Sequence, residues 1–197
     1  MQKQALALTA LALLAACTTN RFEADVTRFH MTQPGLRGSV YLEPLDKAAA
    51  GTLEFQNYAS AVGAELTEHG FTVAPAREGA EYIGVLAYGQ TTREGVGGGS
   101  PITIGIGGGT FGKNVGVGLG TSLGIGEKKT KETAINMLAL KIERASDKSV
   151  LWEGRAVAEA GSTTRYGPLA AAMPALADAL LRDFPGTSGQ TVTYKSQ

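Results

Sequence analysis

The chain has 197 residues, 43% of them hydrophobic, 18% charged and 7% aromatic, which is room for one domain with a modest core. Eighteen basic residues balance eighteen acidic ones, which argues against a strongly basic nucleic-acid binder and against a polyacidic tail. One cysteine excludes an internal disulfide framework and cysteine-rich zinc sites, and two histidines leave little for metal or acid–base chemistry.

Residues 1–16 read as a secretory signal. Lys3 and the amino terminus make a positive n-region, and Ala5 to Leu14 form an apolar run broken only by Thr9. That run is too short to span a bilayer as a helix, which takes about 20 residues. Leu14-Ala15-Ala16-Cys17 follows without a gap and resembles the lipobox of bacterial lipoproteins. The resemblance implies a diacylglycerol thioether on Cys17, cleavage before it, and acylation (palmitate-type) of the new amino group. Each buried methylene contributes about 0.8 kcal/mol, so two chains already anchor stably. Thr18 stands where an aspartate would resemble an inner-membrane retention signal, so the resemblance implies an outer-membrane anchor facing the periplasm. Residues 17–21 are then a lipidated tether, and an α+β domain is expected over 22–186, followed by a polar tail, 187–197.

Along the chain, Phe22, Ala24 and Val26 alternate with polar residues and predict a strand toward His30. Pro34-Gly35 is a turn signal, and Ser39 to Leu42 predicts a second strand. Phe55, Tyr58, Ala59, Val62 and Leu66 form one helical stripe, with Thr52 as N-cap and Gly70 as the stop. Short and long strands follow at Phe71–Ala74 and Glu81–Gln90, the second apolar on both faces, as in a central strand. Thr133–Ile142 and Val150–Ala160 read as the arms of a hairpin turning at Ser146–Ser149. Leu169, Met173, Leu176, Leu180 and Phe184 predict a second helix, in which Pro174 is expected in a first turn, where its missing N–H does no harm. Thr191 to Tyr194 can form an edge strand. These elements predict an antiparallel-rich sheet covered on one face by two helices.

Residues 95–126 hold 14 of the 27 glycines and one charge, Lys113. Pro101–Ile106 and Val115–Gly120 both alternate with period two, so the simplest ordered form of this insertion is a β-hairpin. Five glycines from Val115 to Gly126 cost on the order of 3–5 kcal/mol relative to alanine, which a free hairpin does not recover. The segment is therefore a loop, a hairpin packed on its domain, or a hairpin ordered by a membrane or a partner. Ile102, Ile104, Ile106, Val115, Val117, Leu119, Leu123 and Ile125 are the candidate contact residues. Gly107 to Asn114 nearly matches a phosphate loop, but Val-Gly-Val-Gly-Leu-Gly behind it makes a poor helix start, so no nucleotide or other cofactor is expected.

No constellation for catalysis or metal binding is expected. His30 and His69 lie far apart in sequence, outside any recognisable motif. Glu153 and Glu159 share a strand face without an acid–base motif, and Ser60, Ser100 and Ser162 lack a nucleophile elbow. Trp152 sits among apolar strand residues and reads as core, and Arg144, Lys148 and Arg155 read as a solvated rim.

Several pieces appear in the order seen in a bacterial lipoprotein family. They are Val26-Thr27-Arg28-Phe29-His30, the Leu53–Gly70 helix ending His69-Gly70-Phe71, and Ala80-Glu81-Tyr82. Leu138-Ala139-Leu140-Lys141-Ile142 then leads through Asp147-Lys148 to Val150-Leu151-Trp152-Glu153-Gly154, and Asp183-Phe184-Pro185-Gly186 closes. On these pieces the chain resembles the family built on domain of unknown function four-one-three-six, over most of residues 22–186. The resemblance implies an envelope lipoprotein with a compact α/β domain and carries over no catalytic residue.

The leading expectation is a non-enzymatic binding or envelope-assembly module. Its partners would be the membrane, through its lipid, and an unidentified envelope protein, with no nucleic acid. A second expectation is an oligomer that inserts its glycine-rich hairpin into the outer membrane, similar in outline to the curli secretion channel. A periplasmic enzyme ranks below both.

Overall fold

The computed structural model describes residues 21–31, 35–94 and 132–195. The signal, Cys17, Pro34 and the glycine-rich insertion of the sequence reading lie outside them. Nine main elements follow in chain order. They are β1 (Glu23–His30), β2 (Gly38–Pro44), α1 (Leu53–Glu68), β3 (Phe71–Val73), β4 (Tyr82–Glu94), β5 (Glu132–Arg144), β6 (Val150–Gly161), α2 (Leu169–Leu181) and β7 (Thr191–Lys195). The fold is α+β, with one sheet of seven strands in the order β3-β2-β4-β5-β6-β1-β7.

Four of the six strand pairings are antiparallel, as expected. The exceptions surround β2, which runs parallel to both β3 and β4. Its link to β3 is α1, and a helical crossover returns the chain in the same direction. Thr52 starts α1, its hydroxyl accepting from Phe55 N–H at 3.1 Å. Such a cap contributes about 1 kcal/mol. Gly70, at φ +87°, turns the chain out of the helix where a side chain would be strained.

Strand register sorts the two faces. Ala24, Val26 and Arg28 on β1 oppose Ala158, Ala156 and Gly154 on β6, which oppose Asn136, Leu138 and Leu140 on β5. This face meets both helices. Phe55, Tyr58, Val62 and Leu66 of α1 and Met173, Leu176 and Leu180 of α2 join Leu138, Ile142 and Trp152 in one core. Tyr58 stacks edge-on against Tyr88, ring centres 4.7 Å apart. Burial, and after it the Glu54 carboxylate, push the Tyr58 phenol up to about 12. The opposite face buries Ile83, Ile135, Met137 and Ala139 on the central strands β4 and β5. Charged pairs flank them, Lys141 with Glu143 at 2.6 Å and Arg93 with Glu159 at 2.8 Å.

Two details depart from the sequence reading. Pro174 lies inside α2, not in a first turn. Its ring removes one helix hydrogen bond, and the helix continues because eight of its thirteen residues are buried against the sheet. The helix also stops at Leu181, so Phe184 belongs to the turn that follows. The edge strand expected at Thr191 to Tyr194 forms as β7, at one end of the sheet order, with Tyr194 buried beside Arg28.

The β5–β6 turn is fastened by Asp147, which accepts from the Ser149 hydroxyl at 2.6 Å, the Ser149 N–H at 2.9 Å and Arg144 at 2.9 Å. These donors, the Ser149 hydroxyl first, lower the carboxyl from 3.8 to about 2. A depressed carboxylate stabilises the fold fully above its unfolded pKa, and that contribution is lost as pH falls through the folded value. The turn should therefore hold at pH 4 and loosen toward pH 2. A carboxyl carbon titration by NMR that placed the Asp147 midpoint at or above 3.8 would contradict this.

Candidate functional site

β1 and β2 are consecutive in sequence but separated in the sheet by β6, β5 and β4. Four strand steps are about 19 Å. Met31, after β1, and residues 35–37, before β2, nevertheless come together beside the C-terminal end of α1 and the turn after α2. Between them lies an open cleft of about 390 Å³, lined by His30, Met31, Gly35, Leu36, Arg37, Glu68, His69, Gly70, Phe184 and Pro185. That volume falls within the usual range for small-ligand sites.

Side chains from the sheet hold the Phe184–Gly186 turn. Nε2 of His30 lies 3.0 Å from Gly186 O, and Trp152 Nε1 donates to Pro185 O at 2.9 Å. His30 Nδ1 is 3.3 Å from Met31 O. The His30 N–H donates to Ser188 Oγ at 3.1 Å, and Gly189 N–H donates to Arg28 O at 2.8 Å. Phe184 is the shelf of the cleft. Its ring packs against Trp152 at 5.2 Å, His69 at 5.6 Å and Phe71 at 5.7 Å. Gly70 leaves room for Arg37, whose Cδ passes 3.3 Å from where a Cβ at that position would sit.

Both histidines of the chain thus reach one cleft, which their spacing in sequence did not foretell. Among the described residues, the side chains of Arg37 and Glu68 and the ring nitrogens of His69 make no hydrogen bond or ion pair. The lining therefore offers a cation, an anion and an imidazole beside the apolar Met31, Leu36, Phe184 and Pro185. Groups of this kind recognise a ligand by charge and shape. Among the described residues, no three His, Cys, Asp or Glu side chains converge as a metal site would require.

Beneath the cleft sits Arg28, 2% exposed. Its Nε donates to Leu180 O and its Nη2 to Ala179 O, both at 2.9 Å, so it closes the C-terminal end of α2. Its Nη1 donates to the Tyr194 hydroxyl at 2.8 Å, which donates in turn to Asp183 at 2.5 Å. At the other end of α2 the buried Asn136 donates to Tyr166 O at 2.8 Å and accepts from Gln90 at 2.7 Å. Sequence reasoning singled out neither residue. The signal was available in the alternation of β1 and β5, which carries Arg28 and Asn136 inward with their apolar neighbours.

Trp152 is fully buried in the core. Glu153 and Glu159 share the helix-free face. Arg144 and Lys148 sit at the β5–β6 turn, whereas Arg155 lies along β6 opposite Ala139, so the three form no patch. Cys17, Ile102, Ile104, Ile106, Val115, Val117, Leu119, Leu123 and Ile125 lie outside the described residues.

A family model, Domain of unknown function (DUF4136), matches residues 21–186. The chain belongs to this family. An uncharacterized protein of Zymomonas mobilis (ZMO1243) is 31% identical, over 87% of this chain and 80% of its own length. Among solved structures, the chain is similar to the PelC dodecamer from Paraburkholderia phytofirmans at 14% identity and a TM-score of 0.40. That match covers 79% of this chain and 94% of the other. A PDZ domain protein from Parabacteroides distasonis matches at 16% identity and a TM-score of 0.46, over 94% of this chain and 41% of the other. The family pieces read from the sequence, from Val26 to Gly186, fall within the matched range.

Proposed function

We propose that this DUF4136 protein is an outer-membrane lipoprotein facing the periplasm, held by lipid on Cys17. Its α+β domain then serves as a non-enzymatic binding or assembly module. The carrying observation is Leu14-Ala15-Ala16-Cys17, placed directly behind an apolar run that follows Lys3. Two or more acyl chains on one residue suffice for stable anchoring, so the domain needs no membrane-spanning helix of its own. Among the described residues, no helix is long and apolar enough to cross a membrane.

The histidine cleft supports the binding half of the reading. Its unpaired Arg37, Glu68 and His69 and its Phe184 shelf are recognition groups held on ordered elements. Growth with radioactive palmitate should label the wild-type protein and leave Cys17→Ser unlabelled. Equal labelling of the two, or none of either, would refute the anchor.

A further inference from the structure

Phe22 is 4% exposed and packs edge-on against Tyr166 at 5.1 Å, so the folded body begins five residues after Cys17. A fully extended chain covers at most about 3.6 Å per residue, so Phe22 stays within about 18 Å of the anchoring residue. The headgroup layer on one side of a bilayer takes up roughly 5–8 Å of that reach. A domain tethered this closely rests on the membrane surface, and the end of the sheet where β1 begins is the part it can bring down.

Register shows what else lies at that end. Glu23 pairs with Lys195 at the close of β7, and Ala24 with Ala158 near the close of β6. Gly161, the last residue of β6, pairs with Thr133 near the start of β5. Glu94 and Glu132, which flank residues 95–131, are register partners there. The opposite end holds His30 against Trp152, the β5–β6 turn and the cleft. β4 and β5 are each 13 residues long, which at about 3.3 Å per residue separates the two ends by about 40 Å.

We infer that the end of the sheet formed by Phe22, Gly161, Glu94 and Glu132 is the bilayer-facing surface of the protein. It sets both flanks of residues 95–131 at the membrane and turns the histidine cleft away from it, toward the periplasm. The inference rests on the lipid-anchored reading and deepens it. Lying flat on the helix-free face is disfavoured, because that face presents Asp25, Lys141, Glu143, Glu153 and Arg155, and charge near hydrocarbon is costly. Between the two flanks, residues 95–126 carry a single charge, Lys113, and residues 127–131 (Glu-Lys-Lys-Thr-Lys) set three lysines next to Glu132, a pattern that suits an anionic headgroup layer beside that end.

Lipid on Cys17 consumes the only thiol, so an introduced cysteine labels uniquely. Full-length lipidated Thr163→Cys, in the turn after β6, and Ser146→Cys, in the β5–β6 turn, would each carry a bimane. Each is reconstituted in phosphatidylethanolamine–phosphatidylglycerol vesicles containing a headgroup spin-labelled lipid. The 163 label should be quenched several-fold more than the 146 label. Equal quenching, or stronger quenching at 146, overturns the orientation while leaving the anchor intact. Intact mass separates the two readings, since an unacylated Cys17 overturns both. Arg165→Cys and Glu78→Cys repeat the comparison if either first variant folds poorly.

Discussion

Replacing Arg28 with methionine should lower the unfolding free energy by about 3–5 kcal/mol, the usual scale for removing one partner of a buried charged network. Arg28 is 2% exposed and donates to Leu180 O, Ala179 O and the Tyr194 hydroxyl. Methionine keeps much of the volume and none of the donors. Two carbonyls at the end of α2 would then be buried without a partner, each costing about 1–3 kcal/mol. Lysine should recover less than half of the loss, because one ammonium cannot reproduce the planar fork that spans two consecutive carbonyls. The Tyr194 ring, 5.0 Å from the guanidinium carbon, would lose one of its two cations and keep Arg182 at 5.5 Å. Urea denaturation followed by fluorescence checks this, and a midpoint within error of wild type would show that the network is dispensable.

Trp152→Ala should cost a similar amount, about 3–5 kcal/mol, for a different reason. The indole is fully buried, so its loss opens a cavity in the core rather than orphaning two carbonyls. It also removes the donor to Pro185 O and the ring beside Phe184, leaving the Phe184–Gly186 turn held chiefly by His30. The turn should then exchange its amide protons faster than the rest of the domain, which hydrogen exchange can read alongside thermal unfolding. Phenylalanine at 152 should restore part of the stability and none of the hydrogen bond. Protection at the Phe184 amide, which donates to Leu181 O at 2.8 Å, equal to wild type in the alanine variant would contradict this role.

The elements of the fold were legible because each carries its own periodicity. The helical stripe from Phe55 to Leu66 and the alternations of β1, β4, β5 and β6 are local patterns, set by which side of an element faces water. Pro174 misled because helix propensity is a local cost, whereas the burial that offsets it comes from the sheet beneath. The edge strand from Thr191 to Tyr194 was legible, but what fastens it was not, because Tyr194 is bound through a hydroxyl network whose other members lie on β1 and after α2. The parallel pairing around β2 follows from the α1 crossover, and strand patterns carry no direction.

Sequence by itself determined the two helices, most of the strands, the helix-covered face, the family pieces from Val26 to Gly186 and the lipobox that motivates the anchor. Each of these is written in neighbouring residues. Only the tertiary structure decided that His30 and His69 share a cleft, that Arg28 closes α2, and that β1 begins at the same end of the sheet where residues 95–131 depart. These relations depend on the order β3-β2-β4-β5-β6-β1-β7, which joins residues far apart in the chain. That order is fixed by how whole faces bury one another, and the period of a single strand does not contain it.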